Sequence, residues 1–325
     1  MRRVLQPLFN AFDDVDPNAW GSGVVLGVSG GPDSRALLEA FARWPCRSPG
    51  LRVVVVVVDH GQRPGSAAEA AAVVARAAVV GLAGRAVVID VAGRDEGSLR
   101  TARYAALQAV AGDENCTGVV VAHHEGDVAE GLLLHLAGQG GGRQGRAPRV
   151  VDVRDDGFVR IRPFLRLPKS TLRAALTALE ITDVVVDEDD LAGKNARARL
   201  RHQLLEPLAA SRADVEAALA RHAFLRTEDD DVLEGLVPDD DVVDAALAPA
   251  LLRRWLQRQI NRCSPGGDPR TAPAAVDAVI RLARSGADGE ISLRGCRAVI
   301  RRRGHGATTD RVVAVETDPV QSRSG

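Results

Sequence analysis

Ser29-Gly30-Gly31-Pro32-Asp33-Ser34 is the stretch of this chain best equipped for chemistry. Its glycines let backbone N–H groups turn toward an anion, and its serine hydroxyls donate to phosphate oxygens. The apolar run Val24-Val25-Leu26-Gly27-Val28 precedes it, and the helical pattern Ala36-Leu37-Leu38-Glu39-Ala40-Phe41 follows. A strand, a glycine turn and a helix start together make an anion site, because the free N–H groups of the first helical turn face the ligand. Asp33 repels phosphate directly, so its expected role is to hold Mg²⁺ between carboxylate and phosphate. Ser29, Gly30, Gly31, Pro32, Asp33 and Ser34 are therefore the expected phosphate-binding set, with Asp33 as the metal ligand. Two other phosphate loops are excluded. A Walker A loop needs Gly-Lys-Ser/Thr, and the chain's only lysines are Lys169 and Lys194. The dinucleotide fingerprint G-x-G-x-x-G is also missing from this turn.

The elements that must position this loop alternate along the first half. The pattern predicts strands over 24–29, 52–58, 86–91 and 118–122, and helices over 33–44, 66–82, 99–110 and 127–137. Ser66-Ala67-Ala68-Glu69 reads as a capping box. Such alternation predicts an α/β fold with a parallel sheet and crossover helices. Ligands of such sheets bind beyond the carboxyl ends of the strands. Polar residues gather at three of those ends: the loop itself, Asp59-His60, and His123-His124. Val53–Val58 is too short for a membrane span and reads as a strand buried on both faces.

At 325 residues, two domains are expected, drawn at 1–212 and 213–325. Hydrophobic content of 46% with only 3% aromatics predicts cores of Val, Leu and Ala. Cys46, Cys116, Cys263 and Cys296 form no C-x-x-C, so zinc ribbons and cysteine-ligated clusters lack their spacing. Sparse cysteines and a start broken by Gln6 and Pro7 predict a cytoplasmic protein with reduced thiols and no signal peptide.

Beyond residue 150, 158–162 alternates as a strand and 168–179 reads as a helix. Asp187-Glu188-Asp189-Asp190 reads as a solvated loop. A helix from Asn195 to Leu208 carries Arg197, Arg199, Arg201 and His202, either as a solvated face or as a surface that tracks RNA phosphates. The tail splits by charge. Residues 214–244 are acidic, and the arginines from Arg253 to Arg303 dominate after Pro238, so a net charge of −1 hides a basic C-terminal module. Two amphipathic helices (251–260, 274–284) and two short strands turning at Gly295 are expected there, with the last dozen residues frayed.

The S-G-G-x-D-S loop resembles that of the PP-loop ATP pyrophosphatases, and further motifs narrow the resemblance to the tRNA(Ile)-lysidine synthetase family. Asp59-His60-Gly61-Gln62-Arg63 resembles that family's D-H-G-L-R, and Arg100-Thr101-Ala102-Arg103-Tyr104 its R-x-x-R-Y. Ala122-His123-His124-Glu125-Gly126-Asp127-Val128-Ala129-Glu130 resembles A-H-H-x-D-D-Q-x-E. Arg162-Pro163-Phe164-Leu165 resembles R-P-L-L, and Arg197 to His202 resembles R-N-R-I-R-H. The resemblance runs from about Leu26 to about Arg303. It implies a Rossmann-like PP-loop domain followed by a smaller helical or α+β domain that binds tRNA. It implies ATP and Mg²⁺ as cofactors, and a minor tRNA(Ile) and free L-lysine as partners. A homodimer is left open and no membrane is involved. The implied reaction adenylates O2 of the wobble cytosine, after which lysine attacks carbon 2 and AMP leaves.

On this resemblance Asp33, Arg100 and Asp127 are the catalytic candidates, and Asp59 and His60 join the phosphate loop in holding ATP. Arg103, His123, Glu130, Arg197, Arg199 and Arg201 are the substrate-binding candidates. At most one of His123 and His124 is expected to face the ligand, and a capping or packing role is the alternative for each. The chain departs from the pattern at Gly126, Val128, Gly131, Ala137, Ala198 and the Asp187…Asp190 pair. Another adenylating PP-loop enzyme and a tRNA-binding paralogue without ligase activity therefore stay open beside the ligase.

Overall fold

The computed structural model describes residues 2–61, 65–89, 96–138, 145–154, 156–185, 196–263, 273–293, 296–305 and 308–317. Gln62, Arg63, the acidic run 187–190, Asn195, Arg270, Arg294 and the Gly295 turn lie outside them. The chain divides into two compact units, Met1–Arg226 and Thr227–Gly325.

The first unit is built on a six-stranded sheet. Its strands are β1 (Gly23–Gly27), β2 (Arg52–Asp59), β3 (Ala83–Val88), β4 (Gly118–Val120), β5 (Val151–Val153) and β6 (Val159–Ile161), in the order β3-β2-β1-β4-β6-β5. All neighbours are parallel except the β5–β6 pair at the edge. The order reverses at β1, which has β2 on one side and β4 on the other, so the crevice for a ligand opens between the ends of β1 and β4.

The run of valines in β2 is buried on both faces as its composition predicts. Val53, Val55 and Val57 enter one apolar cluster and Val54 and Val56 enter another. Helices α1 (Arg2–Asp13), α2 (Pro32–Arg43) and α3 (Ser66–Val79) contribute to the first cluster, and α4 (Glu96–Asp113) to the second. The few aromatics concentrate in the first. Phe12, Trp20, Phe41, Trp44 and Phe164 meet there, with Phe12–Phe41 ring centroids 5.2 Å apart.

Three local expectations are corrected. The third strand occupies Ala83–Val88 rather than beginning at Ala86. The capping box at Ser66 does not form, because Gly65 is the cap at φ 93°, in the left-handed region open to glycine, and Ser66 is already helical. The Glu69 N–H bonds to the Gly65 carbonyl instead. The helix expected over 195–208 is also interrupted, since α7 (Ala196–Leu200) passes through a π-helical turn at Arg201–Leu205 into α8 (Glu206–Ser211).

The second unit has an antiparallel sheet of β7 (Val242–Asp244), β10 (Thr308–Thr317), β9 (Cys296–His305) and β8 (Gly289–Leu293), in that order. Two helices that follow α9 (Val215–Gly235), namely α10 (Pro249–Cys263) and α11 (Pro273–Ser285), supply Trp255, Leu256 and Val279 to its core. The tail expected to fray is partly ordered, since Ala314–Thr317 pair with Val299–Cys296. The charge split also closes on itself. Arg254 pairs with Asp230, Arg258 with Glu234 at 2.7 Å and Asp239 at 3.1 Å, and Arg253 with Asp277 at 2.6 Å. Arg301, Arg302 and Arg303 stay exposed. Among the described residues no helix is long and apolar enough to cross a membrane, and no two cysteines are joined.

Candidate active site

The phosphate loop leaves β1 and enters α2 with Gly31 as the cap and Pro32 in the first turn, where its missing N–H costs nothing. Ser34 locks the turn. Its hydroxyl donates to the Gly31 carbonyl at 3.0 Å, accepts from the Ser29 N–H at 3.1 Å, and lies 3.2 Å from the Ser29 hydroxyl. Gly30 adopts φ 84°, and a Cβ there would sit 2.9 Å from a Val185 methyl. The Val185 N–H in turn donates to the Gly30 carbonyl at 2.9 Å. Only glycine satisfies both the positive φ and that close strap.

Beneath the loop, α2 is anchored by charge. Glu39 is fully buried and bound by Arg76 at 2.6 and 2.9 Å, by Arg43 at 2.6 Å and by Arg35 at 3.1 Å. Arg35 also reaches Asp183 at 2.8 Å, two residues before Val185. Burial opposes the charge of Glu39, but its hydrogen bonds from Arg76 and Arg43 hold the carboxyl below the usual range.

Asp33 stands where the sequence places it, in the first turn of α2, and two groups from distant chain segments approach it. His124 Nε2 lies 3.5 Å from its Oδ2, and Lys169 Nζ, from the start of α6 (Lys169–Ala178), lies 3.8 Å away. Its other oxygen, Oδ1, is buried with no hydrogen-bond partner. Burial works against the charge, yet His124 and Lys169 keep the carboxyl below the ordinary aspartate value. His124 caps α5 (Glu125–Leu136). Its Nδ1 accepts from the Gly126 N–H at 3.0 Å, and Asp127 Oδ2 accepts from the His124 N–H at 2.9 Å, a reciprocal capping box. That bond to Nδ1 places the proton of neutral His124 on Nε2, facing Asp33.

Burial opposes protonation of His124, but Asp33 and Asp127 outweigh it and raise its pKa. A raised folded-state value means that this interaction stabilises fully below the ordinary histidine pKa and fades as pH rises through the raised one. An NMR titration should find the His124 imidazole midpoint above that of a free histidine, and Asp33→Asn should bring it down. A midpoint unmoved by the substitution contradicts the pairing.

Asp127 sits between this cluster and α7, with Arg197 at 4.0 Å. Glu130, one helical turn on, is buried and bound by Arg201 at 2.6 Å, with Arg197 at 3.7 Å from its second oxygen. Burial raises the pKa of Glu130 despite Arg201. Arg199 points elsewhere, being exposed while Ala198 is fully buried. His123, beside the cap residue His124, lies in the segment between β4 and α5. Burial, assisted by Arg100, Arg162 and Arg197, lowers its pKa to about 3, with Asp127 acting in the opposite sense. Its ring is therefore neutral.

At the end of β2, Asp59 is buried and its Oδ1 accepts the Gly61 N–H at 2.8 Å, which closes a turn. His60 is 3.3 Å from Arg103, and burial together with Arg103 lowers its pKa. Arg100 is exposed, with its guanidinium 5.3 Å from the Tyr104 ring centre. The sequence reading missed two members of the central cluster as site residues. Lys169 lies within the helix expected over 168–179, with no site role assigned to it. His124 was left undecided, because histidine is not among the usual helix caps.

The donor set fits a hard divalent cation only in part. Among the described residues no group of three His, Cys, Asp or Glu could cage a metal. Mg²⁺ typically needs one or two carboxylates, completed by water and substrate phosphates. The unpartnered Oδ1 of Asp33 beside the loop supplies such a carboxylate.

A family model described as a PP-loop domain matches residues 4–208. A tRNA(Ile)-lysidine synthase of Methylobacterium sp. (strain 4-46) is 40% identical over 206 residues, covering 62% of this chain and 57% of the relative. This chain thus spans little more than half the length of that protein. The synthase of Methylobacterium nodulans is 38% identical and covers 79% of each chain. That of Leifsonia xyli subsp. xyli is 34% identical and covers 87% of this chain and 89% of the relative. Among solved structures, the U34-tRNA thiolase NcsA of Methanococcus maripaludis shares the fold, with a TM-score of 0.55 at 14% identity over 68% of this chain and 76% of the thiolase.

Proposed function

The chain belongs to the tRNA(Ile)-lysidine synthase family of PP-loop proteins, and on that premise we propose that it uses ATP to adenylate O2 of the wobble cytosine of a minor tRNA(Ile) and joins free lysine to carbon 2. The observation that carries this reading is Asp33, its Oδ1 unpartnered, at the mouth of an intact phosphate loop beside the β1–β4 crevice.

Ser29, Ser34 and the Gly30–Gly31 backbone hold the pyrophosphate end of ATP, and the α2 N-terminus adds its partial positive charge. Asp33, with help from Asp127, would hold Mg²⁺, which would neutralise charge on the leaving pyrophosphate. Lys169 stands close enough to Asp33 to reach the same phosphates. Arg100, on the exposed side of α4, is the group for charge that develops on the α-phosphate or activated base. Glu130 is already committed to Arg201. Asp127, whose nearest arginine is Arg197 at 4.0 Å, is the better acceptor for the ammonium of the incoming lysine. Arg301, Arg302 and Arg303 on β9 offer the second unit's exposed cations to tRNA phosphates.

A second reading, an RNA-binding paralogue without ligase activity, draws on Gly126. Where the family carries the first of two aspartates, a Cβ here would meet the His124 ring at 2.8 Å. The imidazole fills space that a carboxylate would need. A pyrophosphate-release assay with ATP, tRNA(Ile) transcript and lysine separates the readings. Lysine-dependent release with labelled lysine retained on the RNA is expected. Tight RNA binding with no release supports the paralogue, and release driven only by another amine or by a sulfur donor points to a different adenylating enzyme.

A further inference from the structure

Arg160 lies in β6 and Arg162 directly follows the strand, and both are largely buried, their side chains 14% and 4% exposed. Both depend on one carboxylate. Asp152, opposite Arg160 in the β5–β6 register, lies 3.9 Å from Arg160 and 3.5 Å from Arg162. Arg162 also donates to the Arg149 carbonyl at 3.0 Å. The Nε atoms of both arginines are buried with no acceptor. The Arg160 guanidinium lies 3.7 Å from the centre of the Tyr104 ring, and Arg100 approaches the same ring from the exposed side of α4.

Two buried cations sharing one anion is an unbalanced arrangement. A buried charge without full pairing costs several kcal/mol, and an anionic ligand would offset it. Burial among neighbouring guanidiniums lowers the pKa of both arginines, which agrees with a deficit of negative charge.

We propose that Arg160, Arg162 and Tyr104 form an anion pocket that holds a backbone phosphate of the RNA strand carrying the base to be modified. This inference rests on the reading of the protein as a tRNA-modifying enzyme. The topology favours RNA over nucleotide. The phosphates of ATP belong to the loop at the end of β1, with its adenosine toward β2. The pocket lies on β6, beyond β4, on the opposite side. Paired guanidinium N–H groups match phosphate oxygens, and the Tyr104 ring stacks on the Arg160 guanidinium and fixes its plane.

The test is a salt titration of the full chain binding an anticodon stem–loop RNA, with Mg-ATP affinity measured in parallel. Arg160→Gln should reduce the slope of log affinity against log salt by about 0.7–0.9, the loss of one phosphate contact, and leave ATP affinity in place. Asp152→Asn, which deepens the charge deficit, should tighten RNA binding. Thermal melting of each variant identifies loss of fold. An unchanged slope in folded Arg160→Gln overturns the pocket, as does weakened ATP binding with RNA binding intact. If Arg160→Gln proves unstable, Asp152→Asn decides alone, and no tightening refutes the proposal. Lysine-dependent pyrophosphate release by the unaltered chain tests the enzymatic reading separately, so either can fail without the other.

Discussion

Asp33→Asn is expected to abolish lysine-dependent pyrophosphate release while leaving RNA affinity nearly unchanged. The substitution keeps the size of the side chain and its ability to accept from His124 and Lys169. It removes the charge that would hold a divalent cation against the pyrophosphate. Metal stabilisation of a leaving phosphate is worth several kcal/mol, and a loss of roughly 4 kcal/mol is about a thousand-fold in rate. The RNA contacts proposed for β6 and β9 involve no part of Asp33, so gel-shift affinity for tRNA should remain within about two-fold. A variant that turns over ATP within ten-fold of the unaltered chain removes Asp33 from the metal site and takes the proposed chemistry with it.

Glu39→Gln should be the most damaging substitution for stability in the first unit, at about 3–5 kcal/mol. Among the described residues Glu39 is the only anion bonded to Arg76 and Arg43, and it shares Arg35 with Asp183. An uncharged amide leaves buried Arg35 and its two neighbours facing one another without their common counter-charge. The damage should extend to the phosphate loop, because Arg35 ties α2 to the segment whose Val185 N–H binds Gly30. Urea denaturation followed by circular dichroism, with hydrogen exchange localised to α2, measures both effects. The sign with pH is defined by the depressed pKa of Glu39. Its contribution is complete above the ordinary glutamate pKa and is lost as pH falls through the lower folded-state value. A change below 1 kcal/mol would show that the arginines find compensation elsewhere.

The phosphate loop, the parallel sheet and β2 were legible in the sequence because each is encoded locally, by glycine and serine at a turn or by an unbroken apolar run. Residues that act through distant partners were not. Lys169 approaches Asp33 only once β6 has delivered α6 to the loop, and nothing within 168–179 announces that meeting. His124 caps α5 through a ring nitrogen, and it needs Gly126 to leave room for that ring. The capping box read at Ser66 was displaced because the preceding glycine took a backbone angle closed to most residues. The acidic run and the arginines of the second unit looked like separate surfaces. Folding joins many of them pairwise across residues more than fifteen apart, as with Arg258 and Asp239. The strand β10 escaped notice because its pairing with β9 is a property of both segments together.

The scarcity of aromatic side chains has a spectroscopic consequence. Of the three tryptophans, Trp20 and Trp44 lie 5.3 Å apart, packed with Phe12 in the first unit. Trp255 is fully buried in the second, its indole N–H on the Asp240 carbonyl at 2.8 Å. With Trp255 replaced by phenylalanine, the remaining emission reports the first unit alone. With Trp20 and Trp44 replaced instead, it reports the arginine-rich half. The molecule thus carries a separate optical gauge in each half, so the order in which the two halves melt can be read without adding a dye.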